Sequence, residues 1–268
     1  MKKAMTLVTM ACLGLVLVFL SSCSDDNSIN LFSVEDDMAL GQQADDQIRT
    51  NAGEYAILDS AQYTTAYQHL YRIRDIILAS GKVKYADKFS WRCTILKNDT
   101  VVNAFCLPGG TMYFYTRLIK LLDNEAQFAG VMAHEMAHAD RRHSTDQLTV
   151  AYGLDLLLEI VLGNNPSAIA QIAADLAAGL STLAFSRQDE YEADEYAVKF
   201  LYPTEEDAAS LGDFFTKLES QSTVPSFLST HPSPEDRLEK INEHFKAEGG
   251  VHKQTFESRY GEFKAALP

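Results

Sequence analysis

The sequence predicts a mainly helical α+β fold, with a small antiparallel sheet of about three strands packed on one buried helix. Three observations carry this. Apolar residues recur at helical spacing along most of the 268 residues, the period drops to two over residues 89–116, and a Pro-Gly-Gly interruption falls inside that stretch. A hydrophobic content of 46% with 10% aromatics is ordinary for a packed domain and argues against disorder of the bulk.

The chain opens Met-Lys-Lys, runs through apolar residues 11–20 and reaches Ser21, Ser22 and Cys23. This layout predicts a secretory leader over residues 1–22, since the apolar run is too short to favour a spanning helix. An uncleaved anchor with an incidental cysteine is the alternative. Leu20-Ser21-Ser22-Cys23 resembles a bacterial lipobox, which implies that Cys23 becomes the first mature residue and takes a lipid. Residues 23–32 then read as an acidic flexible tether and residues 33–268 as a single domain. By the sorting rule of such lipoproteins, Ser24 after the cysteine points to the periplasmic face of a bacterial cell envelope, at the outer membrane more than the inner.

Without the two lysines of the leader, the 23 basic residues fall to 21 against 37 acidic ones, a net charge of −16. That balance disfavours nucleic acid as a partner. It is also repelled by anionic lipid, so membrane attachment would rest on acyl chains at Cys23 and not on a basic patch.

Ser33 can cap a helix with an acidic first turn over residues 33–51. Residues 61–80 repeat the helical spacing, with Tyr67, Leu70, Ile73, Ile77 and Leu78 on one side. From residue 89, Phe89, Trp91, Cys93 and Ile95 alternate with Ser90, Arg92 and Thr94, and residues 101–106 answer across a polar turn. A β-hairpin turning at Asp99 and Thr100 would set Cys93 opposite Cys106, close enough for a disulfide in an oxidising compartment. Two buried free thiols in adjacent strands are the alternative. Leu107-Pro108-Gly109-Gly110 stops the pairing, and residues 111–116 restart it as a third strand.

Helical spacing returns over residues 123–144, with Asp123 as the cap and Phe128, Val131, Met132 and Met136 buried. Residues 148–185 are rich in Ala, Leu and Ile but interrupted by Asp155, Glu159, Asn164, Asn165, Pro166 and Asp175, which predicts buried helices in preference to membrane spans. Helices over residues 187–201 and 205–221, and a last pair after Pro234, complete the chain.

The chemistry concentrates in His134-Glu135-Met136-Ala137-His138. Histidines four apart on a helix project from one face, so both imidazoles can reach one ion. Glu135 lies about a third of a turn from His134 and stands beside such an ion, where it can take a proton from water. Two hydrogen-bonded core histidines and a surface glutamate are the plain alternative. A catalytic zinc takes three protein ligands. The arrangement with a third histidine close by fails, because positions 141 and 144 hold Arg141 and Ser144, with His143 one residue short. Glu190-Tyr191-Glu192-Ala193-Asp194 offers a distant carboxylate instead: Glu190 for the ion, Asp194 one turn later to accept from a liganding histidine, and Glu192 pointing to solvent. In isolation this run reads equally as an exposed charged helix face. His69, His143, His244 and His252 read as surface or capping residues, and His231 before Pro232, taken alone, as an exposed loop residue.

Asn103-Ala104-Phe105 with Pro108-Gly109-Gly110, then His134-Glu135-Met136-Ala137-His138, then Glu190-x-x-Ala193-Asp194, then Thr230-His231-Pro232 with Arg237 resemble, in order, the motifs of one family. It is the HtpX-like and CAAX prenyl endopeptidase family of zinc metallopeptidases, in the gluzincin group, and the chain is most similar to its soluble bacterial lipoprotein members. The resemblance spans roughly residues 33–245 and implies a gluzincin-like zincin fold with one Zn2+ per chain on His134, His138 and Glu190. It also implies Glu135 as the catalytic base and His231 near the ion, as a displaceable fourth ligand or a donor to the oxyanion. Asp194 and Arg237 stand behind the ligands, Arg237 either orienting substrate or anchoring the last helices to an acid. The implied activity is hydrolysis of peptide bonds in misfolded or misassembled envelope proteins. The other reading is an envelope-protein assembly factor or chaperone with a mainly regulatory zinc. Residues 111–116 are the candidate edge strand for an extended polypeptide substrate.

Overall fold

The computed structural model describes residues 30–268 apart from 52, 54, 162–165, 180–183, 221–225, 233 and 234. The expected leader, Cys23 and the tether up to residue 29 lie outside the described residues. Asn30 and Phe32 are buried, and Asn30 Nδ2 donates to Thr145 Oγ1 at 2.9 Å.

Helix α1 (Val34–Thr50) begins where a reciprocal capping box between Ser33 and Asp36 satisfies its first amides. Helix α2 (Thr64–Leu78) buries Tyr67, Leu70, Ile73 and Ile77, the stripe expected from the spacing. Strands β1 (Cys93–Leu96), β2 (Ala104–Cys106) and β3 (Met112–Tyr115) follow. Their order is β1-β3-β2, with β1 parallel and β2 antiparallel to β3, so the sheet is mixed and not antiparallel throughout.

The hairpin expected at Asp99 and Thr100 does not form. Asn98 Oδ1 accepts the amides of Thr100 and Val101 at 2.9 and 3.0 Å, and Phe227 N–H takes the Val102 carbonyl at 2.9 Å, so residues 97–103 curl into a loop. The tight reversal lies further on, where Gly110 N–H reaches the Leu107 carbonyl at 3.0 Å. Pro108 and Gly109 (φ 75°) occupy the two central positions as a type II turn requires. Met112 consequently sits between Cys93 and Cys106. Two strand spacings, about 9.5 Å, exceed the reach of a disulfide, and both thiols are free and buried. Strand β3 is central, and the edge expected along residues 111–116 is already paired on both sides.

The sheet separates two cores. Cys93, Ile95, Ala104, Cys106, Met112 and Phe114 face the larger, while Leu96, Phe105, Leu107 and Tyr113 face a smaller one shared with α1 and α6. After α3 (Thr116–Leu121) comes α4 (Glu125–Asp140), capped by Asn124 and not Asp123. Every residue of α4 is buried. Its small residues permit close approach: a Cβ on Gly130 would lie 3.1 Å from Leu211 Cα.

Helix α4 stops at Asp140, short of the expected residue 144, because Arg142 turns left-handed (φ 66°). Its guanidinium is tied to Asp37 and to the Phe32 and Ser33 carbonyls, which sustains that conformation without glycine. Helices α5 (His143–Val161) and α6 (Pro166–Gly179) follow, and among the described residues no helix is long and apolar enough to cross a membrane. A second capping box, Ser186 with Asp189, starts α7 (Arg187–Leu201). Then come α8 (Ser210–Glu219), the single turn α9 (Phe227–Thr230), α10 (Arg237–Ala247) and α11 (Glu257–Ala265). Helices α7 and α8 pack on α4.

At the first residue of α4, buried Glu125 pairs with Arg72 and Arg259 beside buried Glu206, itself 3.1 Å from Arg259. Burial, then the hydrogen bond and charge of Glu125, push the Glu206 carboxyl up to about 9. The folded chain therefore keeps a proton that the unfolded chain releases near its ordinary value, and this contribution to stability is lost as pH rises toward 9. Glu206→Gln carries no such proton, so its melting temperature should fall less steeply than wild type between pH 5 and 8.5. Parallel curves would refute the shared proton.

Candidate metal centre

One helical turn on α4 brings His134 Nε2 and His138 Nε2 within 3.0 Å of each other. The capping box at Ser186 sets the phase of α7, and Glu190 projects from its first turn toward them. Its Oε2 lies 3.6 Å from His134 Nε2 and its Oε1 3.5 Å from His138 Nε2. His231, directly after α9, brings Nδ1 to 3.1 Å from Glu190 Oε1 and 3.3 Å from His134 Nε2. All four donor atoms lie within 4.8 Å of one another, and all four residues are buried.

Ligand atoms about 2.05 Å from a tetrahedral ion stand about 3.3 Å apart, so these separations suit a divalent metal. The electrostatics point the same way. His134 Nδ1 is 2.9 Å from Asp194 Oδ1, and the nearby carboxylate charge favours a proton on Nδ1 and a lone pair on Nε2. Burial holds His138 well below the usual imidazole value, hence neutral. Burial alone would raise Glu190, but the charges of His231 and Arg237 and its hydrogen bonds hold it well below the usual carboxylate range. The His134 and His138 lone pairs, turned on one gap in a dry interior, repel one another unless a proton or a cation lies between them.

Glu135, next on α4, is not one of the converging donors. Its Oε1 is buried without a hydrogen-bond partner among the described residues and faces His231 Nε2 at 3.4 Å. Burial pushes its carboxyl up.

Arg237 is fully buried. Its Nε and Nη2 fork onto Asp194 at 2.7 and 2.8 Å, Nη2 lies 2.9 Å from Glu190 Oε2, and the guanidinium stacks 3.6 Å over Phe215. These bonds tie the start of α10 to two acids of α7.

Two expectations need correction. Glu192, expected in solvent, is mostly buried and takes Arg141 Nε at 2.8 Å and His143 Nε2 at 3.1 Å. His143, expected at the surface, is buried with Nδ1 2.9 Å from His138 Nδ1. Phe185 stacks on His138 at 3.9 Å and Phe227 on His231 at 4.3 Å, contacts for which the sequence carries no signal. His69 is half-buried against Phe263, and His252 is exposed beside Asp207. Phe105, Cys106, Ser144, Gln147, Phe185 and His231 line a cavity of about 20 Å³ next to the centre, room for one water.

A buried helix that lends two imidazoles and a glutamate to one ion-sized gap, completed by a carboxylate from a second helix, places the molecule in the zincin class of metallopeptidases. A profile described as Peptidase family M48 matches residues 68–244, and the chain belongs to that family. It is 35% identical over 156 residues to the beta-barrel assembly-enhancing protease of Escherichia coli (strain K12), covering 53% of this chain and 32% of that protein. It is 29% identical over 218 residues to the putative beta-barrel assembly-enhancing protease of Vibrio cholerae, covering 71% and 45%. To the mitochondrial metalloendopeptidase OMA1 of Schizosaccharomyces pombe it is 27% identical over 232 residues, covering 82% and 64%. The chain spans about a third of the length of the Escherichia coli relative.

Proposed function

We propose that the chain is a zinc endopeptidase that hydrolyses peptide bonds of misfolded or misassembled envelope proteins, with one Zn2+ held by His134, His138 and Glu190. The carrying observation is the convergence of four donor atoms within 4.8 Å beside the buried Glu135 carboxylate, whose Oε1 has no hydrogen-bond partner among the described residues. Zinc, when bound, polarises the scissile carbonyl and lowers the pKa of water from near 16 to about 7. Glu135 takes the proton of the attacking water and passes it to the leaving amine. Asp194 fixes the tautomer of His134, and Arg237 holds Asp194 and Glu190 in place. His231 closes the fourth side of the gap and must draw back to admit substrate, where its ring N–H can serve the oxyanion.

An extended substrate has β2 as its edge. Tyr115 N–H bonds the Asn103 carbonyl at 3.2 Å and Leu107 N–H the Thr111 carbonyl at 2.8 Å, so alternation turns the backbone groups of Ala104 and Cys106 to the other side, where Ala104 N–H meets Asn103 Oδ1 at 2.9 Å and would exchange that partner for substrate. Phe105 and Cys106 line the cavity beside His231, and strand addition there would supply affinity with little demand on sequence. Cleavage of a leader before a lipidated Cys23 would hold the enzyme at the periplasmic face of the envelope, at the outer membrane in preference to the inner. The net charge of −14, which becomes −16 without the expected leader, and the names of the bacterial relatives support polypeptide over nucleic-acid partners.

Elemental analysis with a casein degradation assay tests this. One zinc per chain is expected, with activity abolished by a chelator and restored by zinc. Cleavage by metal-free protein would refute it. Zinc without cleavage would favour the assembly-factor reading, to which His231 at the fourth position and a cavity with room for only one water lend weight.

A further inference from the structure

We infer that His143, backed by Glu192, is a positioning residue for His138, fixing which ring nitrogen of that histidine carries its proton. The inference rests on the metal-centre reading above.

His138 offers Nε2 to the gap, 3.0 Å from His134 Nε2 and 3.5 Å from Glu190 Oε1, while its Nδ1 lies 2.9 Å from His143 Nδ1. Two imidazole nitrogens at that distance hold one proton between them. To ligate, Nε2 must present its lone pair, so a neutral His138 carries the proton on Nδ1 and donates it to His143 Nδ1. His143 then has its own proton on Nε2, which lies 3.1 Å from Glu192 Oε2 and is donated there. The reverse assignment would aim the Nε2 lone pair of His143 at a carboxylate oxygen, acceptor against acceptor. The charge of Glu192 therefore sets the direction of both bonds.

Arg141 Nε, 2.8 Å from the other Glu192 oxygen, keeps that charge in place, and its guanidinium rests 4.5 Å over Tyr196. Phe185 covers the imidazole of His138 at 3.9 Å. Each ligating histidine thus has a carboxylate behind it. His134 meets Asp194 directly, whereas His138 reaches Glu192 through an intervening imidazole.

Loss of such a partner typically weakens metal affinity about 10–100-fold. Full-length wild type, His143→Ala, His143→Asn and Glu192→Gln would be titrated with zinc in competition with a chromophoric chelator, and each apoprotein melted to confirm folding. His143→Ala should bind zinc about 10–100-fold more weakly. His143→Asn, whose Oδ1 stands where Nδ1 does and still accepts a proton, should recover part of that loss. A merely structural role would lower the apoprotein melting temperature of both variants without this ordering of affinities. Glu192→Gln, which keeps the side-chain volume and an oxygen acceptor, should weaken zinc binding several-fold and serves where His143→Ala does not fold. Wild-type zinc affinity in a folded His143→Ala, or in Glu192→Gln where that variant stands in, overturns the inference. Absence of zinc binding by the wild type sinks the metal-centre reading itself, and this one with it.

Discussion

Glu135→Gln should slow degradation of an unfolded substrate by about three orders of magnitude, within the range for loss of a general base, while one zinc per chain stays bound. The carboxylate is buried and its Oε1 unpartnered, yet it is absent from the four donors that converge on the gap. Removing its charge therefore leaves the metal ligands intact. Glutamine fills the same volume and can hydrogen-bond His231, so neither cavity nor new charge arises. What it lacks is a site that accepts a proton from water and releases it to an amine. A thousandfold loss in kcat is about 4 kcal/mol of transition-state stabilisation. Zinc-dependent turnover within about tenfold of wild type would exclude Glu135 as the base.

The convergence of His134, His138 and Glu190 was legible because each sits on an uninterrupted helix whose phase local chemistry fixes. Histidines four apart share a face, and the capping box at Ser186 starts α7 so that Glu190 and Asp194 share another. Two features escaped because they depend on contacts between elements. Period-two patterning assigns faces of strands but not their neighbours, so the same residues suited a hairpin of β1 with β2 until β3 entered between them. His143 lies five residues past His138, about 140° around a continuous helix, and would point away from it. Only the left-handed turn at Arg142 brings it back. Asp37 and the Phe32 and Ser33 carbonyls hold that turn from more than a hundred residues away in sequence, and no glycine or proline marks it. Glu192 followed from the same error, since its partners Arg141 and His143 flank the break.

Arg237→Ala should destabilise the domain by about 3–5 kcal/mol, the usual cost of stranding a buried charge. For a domain of this size that is about 10 °C in melting temperature. The guanidinium satisfies both oxygens of Asp194 and one of Glu190 in a site closed to water, and its truncation leaves two carboxylates facing each other with less positive charge between them. It also removes the stack over Phe215. The deficit should be larger in chelated protein than in zinc-loaded protein, because a divalent cation neutralises Glu190 while nothing replaces the fork on Asp194. Arg237→Lys should fall between, since an ammonium cannot bridge both oxygens of one carboxylate and reach the second. Thermal melts with and without chelator decide the matter. A loss under about 1 kcal/mol, as for a surface pair, or an equal loss in both metal states, would mean that Arg237 does not carry the charge balance of the centre.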